Sequence, residues 1–153
     1  MFCILIAMNP NIFKAYDIRG KYPEEINEEA VAEITKALAK HFSAKGGSAF
    51  GGKKGKIIIG HDARLSSESL YKIAVRTLNA KPSTLNPIPV GMITTPMLYF
   101  LVNKLKAAGG IMITASHNPK EYNGLKVVGP TGDVMSGEEI RKLLRSELST
   151  FRI

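Results

Sequence analysis

The chain has little of what several functional classes require. Its single cysteine, Cys3, excludes an internal disulfide framework and suits a reducing cytoplasm. The apolar neighbours of Cys3 point to an inert thiol. Tryptophan is absent and aromatic residues make up only 7%, and no stacking signature of a single-strand binder occurs. Glycine-rich nucleotide loops of the Walker or Rossmann type are missing too. Gly46-Gly47 and Gly51-Gly52 lack both the spacing and the strand-helix context. The scattered histidines, His41, His61 and His117, show no metal-ligand spacing. The amino-terminal apolar run is too short to span a bilayer and has no basic region ahead of it, unlike a signal peptide. Residues 1–8 are expected to be an extension or a short strand, and Met8 would serve as a start by itself.

What remains is an ordinary globular composition. The 153 residues are 44% hydrophobic and 22% charged, enough for one domain with a real core. Lysine and arginine number 21 against 13 acidic residues, a formal charge of +8 that calls for an anionic partner. The basic residues form no long run, so a phosphorylated small molecule is expected ahead of nucleic acid, and no membrane.

The hydropathy pattern alternates strands with helices. Residues 12–18 read as a strand broken by Arg19-Gly20. Asn27 should cap a helix carrying Val31, Ile34, Leu38 and Phe42, and the glycine- and lysine-rich tract 43–55 should be a loop. Residues 56–60 form a buried strand, and a polar loop from His61 to Ser67 leads into a helix with Leu70, Ile73, Ala74 and Leu78. Pro87 and Pro89 push a strand over 84–91 to the sheet edge. Thr95-Pro96 opens a helix whose residues 97–102 are apolar on every side, which predicts full burial. A strand over 110–115, an Asn-Gly turn and a strand over 125–128 follow. Ser136 and Glu139 form a capping box for the last helix. The order predicts a three-layer α/β/α domain with a mixed β-sheet.

Polar clusters fall where strands end: Tyr16 to Arg19, His61 to Ser67, and Ser116 to Asn118. Ligands of open α/β sheets gather at such ends. Ser116 is a candidate nucleophile, or a plain turn residue before Pro119. A Ser116-His117 hydrolase pair is disfavoured, because adjacent side chains tend to diverge and no Gly-x-Ser-x-Gly elbow surrounds them. Phosphoryl transfer fits better, with Arg64 as the partner for phosphate. Lys126, among apolar strand neighbours, is a candidate general acid/base. Each also has a plainer reading as a solvated or snorkelling side chain.

Four segments then bear on family. Residues 12–20 (Ile-Phe-Lys-Ala-Tyr-Asp-Ile-Arg-Gly), 60–67 (Gly-His-Asp-Ala-Arg-Leu-Ser-Ser), 94–99 (Thr-Thr-Pro-Met-Leu-Tyr) and 114–126, opening Thr-Ala-Ser-His-Asn-Pro, occur in that order. Together they resemble the first domain of the α-D-phosphohexomutases, the phosphomannomutase/phosphoglucomutase enzymes that move phosphate between C6 and C1 of a hexose. The last segment is similar to their phosphoserine loop.

The resemblance implies that residues 9–153 form domain I of a four-domain enzyme. Ser116 would carry the phosphoryl group and also contact Mg²⁺ through it. Lys126 would be general acid/base with Arg19 assisting. His117, Asn118 and Arg64 would shape the phosphate site, and Tyr16 with Arg19 would face the hexose phosphate. Glucose 1,6-bisphosphate would be the activator. The Asp-Gly-Asp-x-Asp-Arg metal loop of such enzymes is absent from this sequence, so these 153 residues are expected to be inactive alone. Their partners would be the remaining domains, met in part through Leu148 and Phe151. Thr114 and Tyr122 favour the mannose/glucose branch over the phosphoglucosamine mutases. A non-catalytic phosphosugar-binding module is the alternative of another class.

Overall fold

A computed structural model describes residues 8–49, 55–80 and 85–149. The expectations placed on residues 1–7 and 50–54, on Phe151 and on the side chain of Leu148 lie outside the described part. Strands β1 (Ile18–Lys21), β2 (Gly55–His61), β3 (Leu85–Met92), β4 (Gly109–Ile113) and β5 (Tyr122–Val128) form one sheet in the order β1-β5-β4-β2-β3. β2 runs parallel to β3 and β4, whereas β5 is antiparallel to both β4 and β1. The sheet is mixed, as expected. Helices α1 (Glu28–Ala49), α2 (Ser67–Asn79), α3 (Thr95–Lys104) and α4 (Gly137–Ser149) cover it.

Side chains on a strand alternate between faces, and the core divides accordingly. Ile57, Ile59, Ile111, Ile113, Leu125 and Val127 face α1, α2 and α4. Ile58, Met112 and Val128 face α3 alone. The result is three layers, with three helices on one side and one on the other.

The caps follow from the sequence. Asn27 accepts a hydrogen bond from the Ala30 N–H at 3.0 Å and starts α1. Ser136 and Glu139 exchange bonds, Ser136 N to Glu139 Oε2 at 2.7 Å and Glu139 N to Ser136 Oγ at 3.2 Å. Pro87 and Pro89 sit in the edge strand β3, where a missing N–H is tolerated.

Several expectations need correction. Residues 12–18 are not a strand: Asn9 caps a 3-10 turn at Pro10–Ile12, and β1 begins at Ile18. Arg19 and Gly20 lie within β1, and Asn123-Gly124 lies within β5 and is no turn. Tertiary packing explains both. Arg19 pairs with Gly124 and Gly20 with Asn123. A Cβ on Gly124 would lie 1.8 Å from the Ile18 carbonyl oxygen, and one on Gly20 would lie 2.8 Å from Glu25 Cβ. Gly124 permits close approach of the two strand backbones and Gly20 makes room for the Glu25 and Ile12 side chains, so neither breaks the chain. Helix α1 continues through Gly46-Gly47 to Ala49, where a loop was expected.

Helix α3 is the last correction. Leu98 and Val102 are buried against the sheet, but Met97 is 49% and Phe100 60% exposed. Burying each of the inward pair stabilises by roughly 1.5–3 kcal/mol. The opposite face has no second layer over it among the described residues.

Candidate active site

The carboxyl ends of β2 and β4 lie side by side, with His61 level with Ile113. The loop after β2 and the loop after β4 therefore leave the sheet together. Asp62 N–H donates to the Ile113 carbonyl at 3.0 Å, tying the two exits. β5 returns antiparallel beside β4 and carries Lys126 opposite Met112. β1, on the far side of β5, brings Arg19 and the preceding Asp17 to the same end. Topology thus gathers all three polar clusters on one rim.

Ser116 is exposed at the top of the β4 loop with φ of 55°, a left-handed value uncommon outside glycine. Its N–H donates to Thr114 Oγ1 at 2.9 Å, and its carbonyl accepts from Arg64 Nη2 at 2.9 Å. The Ser116 hydroxyl lies 3.3 Å from His117 Nδ1, so these adjacent side chains do meet, contrary to expectation. His117 is itself exposed.

Arg64 departs furthest from its expected role. Nη1 donates to the carbonyls of Pro119 at 2.6 Å and Tyr122 at 3.1 Å. Nη2 donates to those of Ser116 at 2.9 Å and Asn118 at 2.7 Å. Nε donates to Asp62 Oδ2 at 3.2 Å. An arginine has five N–H donors, and all five here meet protein oxygens. Arg64 thus holds the shape of the loop that carries Ser116.

Arg19, Asn118 and Lys126 form a second group around a residue the sequence reading passed over. Asp17 is buried, and its Oδ2 accepts from Arg19 Nε at 2.7 Å and pairs with Arg19 Nη2 at 2.6 Å. Lys126 Nζ lies 3.8 Å from the same oxygen. The apolar surroundings expected for Lys126 thus include a carboxylate. Arg19 Nη1 reaches across to Asn118 Oδ1 at 2.8 Å, linking this group to the Ser116 loop. Burial first, then the charge of Asp17, pushes the Tyr99 hydroxyl pKa up. Tyr16 is 71% exposed on the turn before β1 and points its ring into open space.

Other residues were also missed. Asp62 accepts from Ser67 Oγ at 2.6 Å, Thr114 Oγ1 at 2.7 Å and the Arg64 N–H at 3.0 Å. Asn123, fully buried, donates from Nδ2 to Ser66 Oγ at 2.7 Å and Ser67 Oγ at 3.0 Å. One signal was available. Asp17-Ile18-Arg19 and Asp62-Ala63-Arg64 are both Asp-x-Arg, and in both the arginine Nε donates to the aspartate Oδ2.

The rim therefore combines an exposed hydroxyl, an imidazole beside it, and an arginine and a lysine held by one carboxylate. Comparison with known proteins places the domain in a family. The family described as phosphoglucomutase/phosphomannomutase, alpha/beta/alpha domain I, matches residues 10–149. The chain belongs to that family. It is similar to the phosphohexose mutases of Xanthomonas campestris pv. campestris, 43% identical over 116 residues, covering 76% of this chain and 23% of that protein. The phosphoglucomutase of Neisseria gonorrhoeae is 39% identical over 140 residues, covering 92% of this chain and 28% of its own. A phosphoglucomutase/phosphomannomutase family protein from Burkholderia thailandensis superposes with a TM-score of 0.76 at 28% identity, covering 94% of this chain and 31% of that one. The domain I chain thus spans about a quarter of the curated relatives named here.

Among the described residues, no group of three or more His, Cys, Asp or Glu side chains could hold a metal. Mg²⁺ favours near-octahedral oxygen coordination. Asp62, which Thr114 of the Ser116 loop reaches, already meets four donors. The described side chains alone do not fit Mg²⁺. No helix among the described residues is long and apolar enough to cross a membrane.

Proposed function

We propose that this domain carries the phosphoryl-accepting serine of a cytoplasmic phosphohexomutase, with Ser116 as nucleophile and hexose phosphates as substrates. The observation that carries the reading is the exposed Ser116 hydroxyl, set in a left-handed turn beside His117 and on the same rim as Arg19 and Lys126. Such chemistry depends mainly on positioning and on charge facing the transferred group.

In the forward step, a hydroxyl oxygen of the hexose monophosphate attacks the phosphorus of phospho-Ser116. A new sugar O–P bond forms and the Ser116 Oγ–P bond breaks. The proton of the sugar hydroxyl ends on Oγ. Lys126 is proposed to move that proton, with Arg19 beside it facing the transferred charge. The hexose 1,6-bisphosphate so formed turns over and returns its other phosphoryl group to Ser116. Asn118 and His117 flank the transfer, and Tyr16 offers its exposed ring to the sugar.

Mg²⁺ is proposed to draw its remaining ligands from outside these residues, together with an oxygen of phospho-Ser116. The partners proposed for the rim are further domains of a longer chain. Exposed Tyr16, Leu65, Met92 and Met97, all following or flanking strand ends at this rim, give such domains an apolar surface to cover. Full turnover is therefore not expected from these residues alone. Thr114 and Tyr122 favour a mannose or glucose phosphate over a glucosamine phosphate.

The test is a half-reaction. Incubation with glucose 1,6-bisphosphate and Mg²⁺, followed by ³¹P NMR, should release hexose monophosphate up to one equivalent per chain and then stop. Ser116→Ala should release none. Release that continues unchanged in Ser116→Ala would contradict the proposal, and no release from the native chain would favour a phosphosugar-binding module.

A further inference from the structure

The left-handed turn at Ser116 needs something to hold it. Among the described residues, only Lys106 and Ser116 adopt positive φ without being glycine, and that conformation is unfavourable for a residue with a Cβ. A strained backbone at an exposed hydroxyl persists only where its surroundings over-determine it.

Two arms converge on Ser116, and both start at Asp62. In the first, Thr114 Oγ1 donates to Asp62 Oδ2 at 2.7 Å and accepts the Ser116 N–H at 2.9 Å. The carboxylate accepts the hydrogen bond of the Thr114 hydroxyl, which leaves a Thr114 lone pair facing the amide. In the second, Arg64 Nε donates to the same Asp62 oxygen at 3.2 Å while Nη2 donates to the Ser116 carbonyl at 2.9 Å. Both backbone groups of Ser116 are thus fixed, through one intermediary each, by a single carboxylate oxygen. The other oxygen, Oδ1, is anchored by Ser67 Oγ at 2.6 Å and the Arg64 N–H at 3.0 Å. Ser67 is bonded in turn to buried Asn123.

We infer that Asp62 and Thr114 are a positioning pair that holds Ser116 in its left-handed conformation and so aims its hydroxyl. Neither residue touches the reacting atoms. The catalytic consequence rests on the reading of Ser116 as phosphoryl carrier, but the conformational claim stands apart from it.

The chemistry identifies the decisive substitutions. Thr114→Val keeps the shape and removes the hydroxyl, whereas Thr114→Ser keeps the hydroxyl. Asp62→Asn puts an NH₂ where an acceptor is needed. Whichever way the amide turns, one N–H of Arg64, backbone or Nε, then faces a donor.

The experiment measures two quantities in the same chain. The first is amide hydrogen exchange at Ser116 by NMR, with amides of β2 and β4 as the fold control. The second is the single-turnover rate of phosphoryl uptake from glucose 1,6-bisphosphate with Mg²⁺. Thr114→Val should speed exchange at Ser116 by roughly five- to tenfold, the factor for one net hydrogen bond, and leave the β2 and β4 amides unchanged. Its maximal uptake rate should fall about 100-fold, as for a misaimed group, with little change in the bisphosphate concentration at half-saturation. Asp62→Asn should behave like Thr114→Val, and Thr114→Ser should restore both readouts. Native exchange at Ser116 in Thr114→Val would overturn the inference, as would equal impairment by Val and Ser. If the native chain takes up no phosphoryl group, the reading of Ser116 fails, and the exchange measurement alone decides the positioning pair.

Discussion

Arg64 Nη2 donates to the carbonyl oxygen of Ser116, 52 positions later in the chain, at 2.9 Å. The contact turns a sequence-distant arginine into part of the Ser116 loop. Arg64→Lys keeps the charge but has three donors in place of five and cannot form the fork. It is expected to cost roughly 2–4 kcal/mol of stability, since carbonyls at the rim lose charged donors. Chemical denaturation of the variant checks this; a midpoint within error of the native chain would remove Arg64 from its clamping role.

That role could not be read from the sequence. A lone arginine before a helix says nothing of where its donors point, and here they point to carbonyls supplied by another loop. By contrast, residues whose effect is local were visible. Asn27, the Ser136-Glu139 box and the edge prolines Pro87 and Pro89 act through their own backbone neighbourhood. So did the buried runs of β2 and β4, whose apolar character needs no partner to be recognised. The failures cluster where two distant segments decide the outcome. Arg19-Gly20 and Asn123-Gly124 carry turn chemistry, yet they pair with each other as strand. Asp17 and Asp62 are not legible as site residues because each acts through the arginine two positions on. The repeated Asp-x-Arg spacing would have found both.

Gly124→Ala tests the close approach of β1 and β5. An added Cβ would meet the Ile18 carbonyl oxygen at 1.8 Å, a backbone atom that cannot rotate away. The substitution should destabilise the domain by about 3 kcal/mol or more. It should also loosen Arg19, which β1 carries. Thermal unfolding with an unchanged midpoint would contradict the pairing.

Asn123→Ala removes two donors from the buried network at the start of α2. The expected loss is about 1–3 kcal/mol, because the Gly124 N–H is left without its acceptor as well. Urea denaturation of the variant measures it, and a loss below a few tenths would show that water replaces the amide.

Stability should fall in acid through Glu139 and Glu28. The Ser136 backbone N–H, then its hydroxyl, lowers the Glu139 pKa. For Glu28, burial raises the pKa, but hydrogen bonds from Ser69, the backbone and Tyr22 outweigh it and the net shift is downward. A carboxylate with a lowered folded-state pKa contributes stability that is complete above the unfolded value of about 4.3. That contribution is lost as pH falls through the lower folded-state value. Glu139→Gln should therefore flatten the acid limb of stability against pH, and an identical limb in native and variant chains would refute the assignment.

The most direct test of the whole account is where the phosphoryl group goes. Intact mass and peptide mapping after incubation with glucose 1,6-bisphosphate and Mg²⁺ locate it. The account predicts one phosphoryl group per chain, on Ser116, and none on Ser116→Ala. An unmodified native chain, or a phosphoryl group mapped to any other residue, would contradict it.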